Sequence, residues 1–150
     1  MIEFLGTETD KTGSQLNIYR VDRIALSPIY TFFLRQIADL IDSGYAFPVT
    51  SWDDDCGAVY AEKDGEILGH IVYDRKKKGI LWITLSAVDP KCRGQGIYSI
   101  LHQYFEQTAK EMGCNIIASH VHIKNEKRLK SAEKVGMKPV YYYMAKKLTS

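Results

Sequence analysis

Apolar and polar residues alternate with two different periods along this chain, and the order of those periods predicts its elements. Leu16–Val21 (L-N-I-Y-R-V) alternates with period two and reads as a strand. Ile29, Phe32, Phe33, Ile37, Leu40 and Ile41 recur at helical spacing. Ser27 as N-cap, Pro28 at the first helical position and Gly44 as a stop therefore frame a helix running to about Ser43. The first thirteen residues are polar enough for a loose arm, with Ile2–Leu5 as a short strand. Tyr45–Cys56, containing Pro48 and the acidic run Asp53–Asp55, reads as a loop.

Three strand signals follow in series. Gly57–Lys63 leads through Asp64-Gly65 into Glu66–Asp74, and Asp-Gly between two apolar runs is a strong hairpin signal. Past Lys78-Gly79 lies Ile80–Val88, so short connections predict an antiparallel meander. The second half alternates differently. Gly96–Met112 carries Ile97, Ile100, Leu101, Tyr104, Phe105 and Ala109 on one helical stripe and stops at Gly113. Asn115–Val121 reads as a buried strand, Asn125–Val135 as a helix ended by Gly136, and Lys138–Lys147 as a last strand. A meander followed by strand–helix–strand units predicts an α/β (α+β) fold with a mixed central sheet and helices on both faces.

Composition narrows the class further. The 150 residues suit a single domain, 1–150, and with 45% hydrophobic and 25% charged residues the chain is neither disordered nor fibrous. A net charge of +2 gives no footprint for nucleic acid, and the one basic run, Arg75–Lys78, is placed as a solvated hairpin tip. Cys56, Cys92 and Cys114 form neither a disulfide framework nor a zinc pattern. With no signal-peptide pattern and no apolar run of membrane length, a reducing cytoplasm is the expected setting, away from any membrane.

The chemistry is expected at Val88-Asp89-Pro90-Lys91-Cys92-Arg93-Gly94-Gln95-Gly96-Ile97, where an apolar strand meets an amphipathic helix. Glycines at such a junction let backbone N–H groups converge on one point, and the helix dipole adds positive potential there, so an anion such as a diphosphate fits. The bland alternative is a tight turn and nothing more. Two other phosphate loops are excluded. No Lys-Ser/Thr follows the glycines, and Ser99 stands where the third glycine of a dinucleotide fingerprint belongs.

This segment resembles motif A of the GNAT (GCN5-related) N-acetyltransferase superfamily, Q/R-x-x-G-x-G/A, with Lys91 at the first position. Val121, Asn125 and Glu133-Lys134-Val135-Gly136-Met137 resemble its motif B, and the likeness covers about Gly57–Lys147. The resemblance implies transfer of an acetyl group from acetyl-CoA to a primary amine, on a small molecule or a protein, by direct attack in a ternary complex. It also implies that the amides of Arg93, Gly94, Gln95, Gly96 and Ile97 hold the pyrophosphate. The pantetheine would lie along the preceding strand near Ser86 and Val88, where two strands splay apart. Asn125 would either contact the pantetheine or serve as a helix N-cap. A backbone N–H of the Ser86 strand would donate to the oxyanion.

Where some relatives carry a glutamate base, this chain has His120, whose unperturbed pKa of about 6.5 suits proton removal from an ammonium group. The rival reading is a packed histidine. His122, two residues on, would share its strand face, but no third ligand accompanies the pair, so no metal is expected. The tyrosine many relatives use as general acid is replaced by Ala132, which leaves a different acid among Tyr98, Tyr141, Tyr142 and Tyr143, protonation from water, or binding of the cofactor without turnover. The resemblance implies acceptor contacts from the first helix, the loop after it and the last strands. In that loop Asp53–Asp55 would either attract a cationic amine or only solvate the loop, and Trp52, Tyr45 and Phe47 would wall a pocket or pack on the core. A tyrosine-rich last edge strand would make a homodimer contact. The alternative function is a regulatory module that holds acetyl-CoA without turning it over.

Overall fold

The computed structural model of the chain describes residues 1–44, 56–146 and 148. The acidic run 53–55 and its aromatic neighbours Tyr45, Phe47 and Trp52 lie outside the described residues. Six strands form one mixed sheet in sequence order: β1 (Ile2–Thr9), β2 (Gln15–Val21), β3 (Gly57–Lys63), β4 (Glu66–Asp74), β5 (Ile80–Val88) and β6 (Ile116–Ser119). Each neighbouring pair is antiparallel except β5–β6, which is parallel. Asp64 and Gly65 both have positive φ, 51° and 83°. That pair defines a type I′ turn, whose twist matches the strands it joins.

Helices cover both faces. α1 (Tyr30–Asp42) lies on one, over a core of Val21, Ile29, Phe33, Ile37, Ala58, Tyr60 and Val72. α2 (Ile97–Glu111) lies on the other. Its stripe Ile97, Leu101, Phe105 and Ala109 recurs every four residues and packs on Leu16, Ile18, Val59, Ile71, Leu81 and Ile83. Burying one such side chain contributes about 1.5–3 kcal/mol, so this stripe fixes the α2 position against the sheet. α3 (Glu126–Lys134) follows β6.

Four sequence expectations change. Residues 1–13 are no loose arm, since β1 pairs with β2 over Ile2–Thr9, with a bulge between Phe4 and Gly6. Tertiary contacts hold this edge strand: Tyr104 Oη donates to Glu8 Oε1 at 2.7 Å, and Arg20 bridges Glu3 at 2.8 Å and Glu111 at 3.3 Å. Ser27 does not cap α1. Its hydroxyl donates to the Ile24 carbonyl, closing a 3-10 turn, and the helix begins at Tyr30. Ile41 is half exposed rather than on the buried stripe. Residues 138–146 form no strand, and Val140, Tyr141, Tyr142, Tyr143 and Met144 are exposed. β-propensity reflects packing on neighbours, and this segment pairs with none of the described strands.

Candidate acetyl-CoA site

The sheet divides where the motif begins. β6 pairs with β5 only from Ile80↔Ile116 to Ile83↔Ser119, whereas β5 runs five residues further, to Val88. The next residue, Thr84, is extra in the β4–β5 register, where Val72 faces Leu85 but Tyr73 faces Ile83. This bulge resets the alternation. Ile83 packs on the α2 side and Leu85 on the α1 side. Val88 packs on the α2 side, and Ser86, two residues before it, shares that face. On the side away from β4, residues 84–88 have no strand partner among the described residues.

That open edge leads directly into the loop. Asp89 anchors the corner by donating its N–H to Leu68 O at 2.8 Å and accepting from Lys91 N at 2.9 Å through its carboxylate. Pro90–Cys92 makes one 3-10 turn, and Arg93 Nε donates back to Val88 O at 3.4 Å. Gly94 and Gly96 then take φ of +79° and +83°, and Gly96 is the N-cap of α2. Among the described residues, the amides of Arg93, Gly94, Gln95, Gly96 and Ile97 donate to no protein acceptor. Five successive free donors at a helix N-terminus make a site for an anion rather than only a turn.

The N-terminal hairpin completes this loop. Lys11 N donates to Gln95 O at 3.0 Å. A trans peptide points its carbonyl and the next N–H in opposite directions, so this bond turns the Gly96 N–H away from the hairpin. The Lys11 aliphatic chain lies across Gly96, with Cε 3.4 Å from where a Cβ would stand. A hollow of about 520 Å³ flanks the loop beside Cys92 and Gln95, but Asp10, Asp64 and Glu66 also line it. Asp10 stays ionised, its pKa lowered chiefly by the Thr12 hydroxyl. Three carboxylates oppose a diphosphate, so the free amides mark the anion's place instead.

The remaining predicted residues divide. Asn125 is the N-cap of α3, its Oδ1 accepting from Arg128 N at 3.3 Å. His120 follows β6 directly, exposed, its ring edge-on to Trp82 with centroids 4.8 Å apart. It therefore stands at the point where β5 and β6 part. His122 is not on the strand, which ends at Ser119. Its Nδ1 accepts from Lys124 N at 3.1 Å, and among the described residues no group of three candidate ligands could hold a metal. Ala132 is buried; of the substitute tyrosines, Tyr98 is packed on α2 beside Arg128, Tyr141 and Tyr142 are exposed, and Tyr143, 68% exposed, stands edge-on to the His120 ring with centroids 6.5 Å apart.

With this geometry in place, comparison with known proteins is decisive. Residues 25–137 match the sequence profile of the acetyltransferase (GNAT) family. The chain belongs to that family. As an acetyltransferase it draws its acyl group from acetyl-CoA.

No curated protein sequence matches this acetyltransferase significantly. Solved structures share its fold. One is an aminoglycoside acetyltransferase, meta-AAC0020, from an uncultured soil metagenomic sample, in complex with sisomicin: 17% identity, TM-score 0.64, covering 88% of this chain and 97% of that one. Another is a ribosomal-protein-alanine N-acetyltransferase from Brucella melitensis biovar Abortus 2308: 14% identity, TM-score 0.65, covering 89% and 99%. A third is the aminoglycoside N-acetyltransferase AAC(6')-Iy in complex with CoA: 17% identity, TM-score 0.60, covering 86% and 98%. Among the described residues, no helix is long and apolar enough to cross a membrane.

Reasoning along the sequence missed three features. Lys11 was hidden in a segment read as a loose arm. His70 is wholly buried against Phe32 of α1, with neither ring nitrogen hydrogen-bonded among the described residues and its pKa pushed down to about 4 by burial. Ser86, Tyr98 and Arg128 meet beside the open edge, yet are far apart in sequence.

Proposed function

We propose that this acetyltransferase passes the acetyl group of acetyl-CoA to a primary amine, by direct attack in a ternary complex. The observation that carries the reading is the β5 edge at residues 84–88, unpaired and continuous with five free amides. An extended amide-bearing arm would add to that edge as a strand does, through the backbone near Ser86 and Val88. The amides of Arg93, Gly94, Gln95, Gly96 and Ile97 would take the pyrophosphate, and the exposed Arg93 would add charge at the rim.

Holding amine and thioester together accounts for about 7–11 kcal/mol of barrier lowering in a well-oriented complex. A backbone N–H near Ser86 polarises the thioester carbonyl. His120, at the fork of the strands, removes the ammonium proton. Asn125 caps α3 and so holds that helix beside the arm. No metal takes part in this scheme. The structural neighbours acetylate aminoglycosides or a ribosomal-protein alanine, so amines of both classes are acceptors to try.

The assay is free-thiol release from acetyl-CoA with a panel of amines and peptide N-termini, with the acetylated product identified by mass. Amine-dependent release supports transfer. Tight coenzyme A binding with no release above hydrolysis, for any acceptor, would make the chain a cofactor-holding regulatory module instead. We take residues 1–150 as a single domain whose three free thiols suit a reducing cytoplasm. The exposed apolar run at residues 140–144 supports a homodimer, which sedimentation equilibrium tests.

A further inference from the structure

Three polar side chains from three elements are buried beside the open β5 edge without hydrogen-bond partners among the described residues. They are Ser86 Oγ from β5, Tyr98 Oη from α2 and both terminal nitrogens of Arg128 from α3. They adjoin one another. The Arg128 guanidinium carbon lies 5.2 Å from the Tyr98 ring centroid. Ser86 and Arg128 also sit close enough to the phenol oxygen to act on its acidity, although none of these contacts has ordinary hydrogen-bond geometry. Among the described residues this buried cation has no anion and the two buried hydroxyls have no acceptor, which is costly, so a group that completes them is expected. Ser86 is itself part of the unpaired strand edge, so whatever docks there arrives at this cluster.

Resting on the acetyl-transfer reading above, we infer that Tyr98 is the proton donor to the departing thiolate and that Arg128 is its positioning residue. The amine nitrogen bonds to the carbonyl carbon and the carbon–sulfur bond breaks, its electron pair going to sulfur. The Tyr98 hydroxyl proton passes to that sulfur, and the resulting phenolate is held by the Arg128 guanidinium. The ammonium proton has already left through His120 to solvent. The second proton, lost from nitrogen as the amide forms, returns to the phenolate through water, so one proton is released per turnover and nothing else is consumed. Ala132 lies one turn beyond Arg128 on the same face of α3 and has no proton to give. Tyr141 and Tyr142 are 92% and 87% exposed on the irregular tail, which suits them poorly to a fixed position.

Among the described residues, the groups facing Tyr98 are few. Ser86 comes from β5 and Arg128 from α3. From its own helix comes His102, whose ring centroid is 5.8 Å away and whose Nδ1 bonds Glu106 at 3.0 Å. Burial raises the phenol pKa and Arg128 opposes it, so Tyr98 is protonated at neutral pH. His102 is lowered by burial and is neutral there. Arg128 is therefore the cation that sets where Tyr98 titrates, and turnover falls at high pH as the donor is lost.

The test uses the full chain, acetyl-CoA and an amine that the wild type acetylates. Tyr98→Phe is expected to lower kcat about 100-fold, with coenzyme A affinity by calorimetry unchanged and the alkaline limb of the kcat profile gone. Arg128→Met is expected to move that limb to higher pH, and Arg128→Lys to restore it. Should Tyr98→Phe not fold, fluorotyrosine placed at position 98 makes the phenol more acidic and is expected to move the limb to lower pH. Unchanged kcat in Tyr98→Phe, parallel loss of coenzyme A binding, or a limb indifferent to fluorotyrosine would each overturn the assignment while leaving acetyl transfer intact. Absence of amine-dependent release in the wild type overturns the underlying reading itself.

Discussion

Replacing Gly96 by alanine separates two roles of one residue. At φ +83° an L-residue pays about 1–2 kcal/mol for the left-handed conformation. Sterics add little, because the new methyl would meet only the flexible Lys11 chain, at 3.4–3.8 Å. The strain has two fates. If the loop keeps its shape, the protein loses that 1–2 kcal/mol of stability, and the melting temperature of a chain this size drops by roughly 2–8 °C. If the loop relaxes, stability returns but the amides no longer converge, and binding must impose the strain again. Affinity for coenzyme A then falls by at most the same energy, about 5- to 30-fold. Calorimetric melting and titration with coenzyme A on the same sample measure both fates. The expectation is that the two losses together come to about 1–2 kcal/mol. Full stability together with full affinity would refute the claim that this bend presents the amides.

Three other outcomes follow from the structure. His120→Ala is expected to cut turnover about tenfold or more while leaving coenzyme A affinity intact, and an unchanged rate with a proven acceptor would remove His120 from the mechanism. His70 has a folded pKa of about 4 against 6.5 unfolded, so the unfolded chain binds the extra proton. Its contribution to stability is thus complete above pH 6.5 and disappears as the pH falls through 4, a loss on the order of 3 kcal/mol. Urea midpoints across that range should decline in the wild type and decline less in His70→Leu. Leu101→Ala, emptying a wholly buried position under the sheet, should cost about 2–5 kcal/mol of unfolding free energy by urea titration.

What could be read along the chain was whatever short-range chemistry decides. The meander follows from strand alternation plus a turn whose two residues both accept positive φ, and Gly44, Gly113 and Gly136 each end a helix with positive φ. The anion loop was legible for the same reason, since its geometry lies within ten residues. β1 was legible only over Ile2–Leu5, because the rest of an edge strand with polar faces is held by partners such as Tyr104 and Arg20 that sequence proximity does not reveal. The tail at 138–146 misled in the other direction, its tyrosines having strand preference but pairing with none of the described strands. The split of β5 from β6 arises from one extra residue, Thr84, and period-two reasoning takes no account of an insertion that changes sides. Ser86, Tyr98 and Arg128 each look ordinary in isolation, and only the packing of three elements gives them a common purpose.

The grip of Lys11 on Gln95 also bears on how this protein is handled at the bench. Trimming residues 1–11 to tidy an expression clone would remove β1 and, with it, the strap that aims the Gly96 amide. Such a shortened product would hold coenzyme A poorly, and an assay on it would be read as inactivity in an enzyme that had lost its buckle.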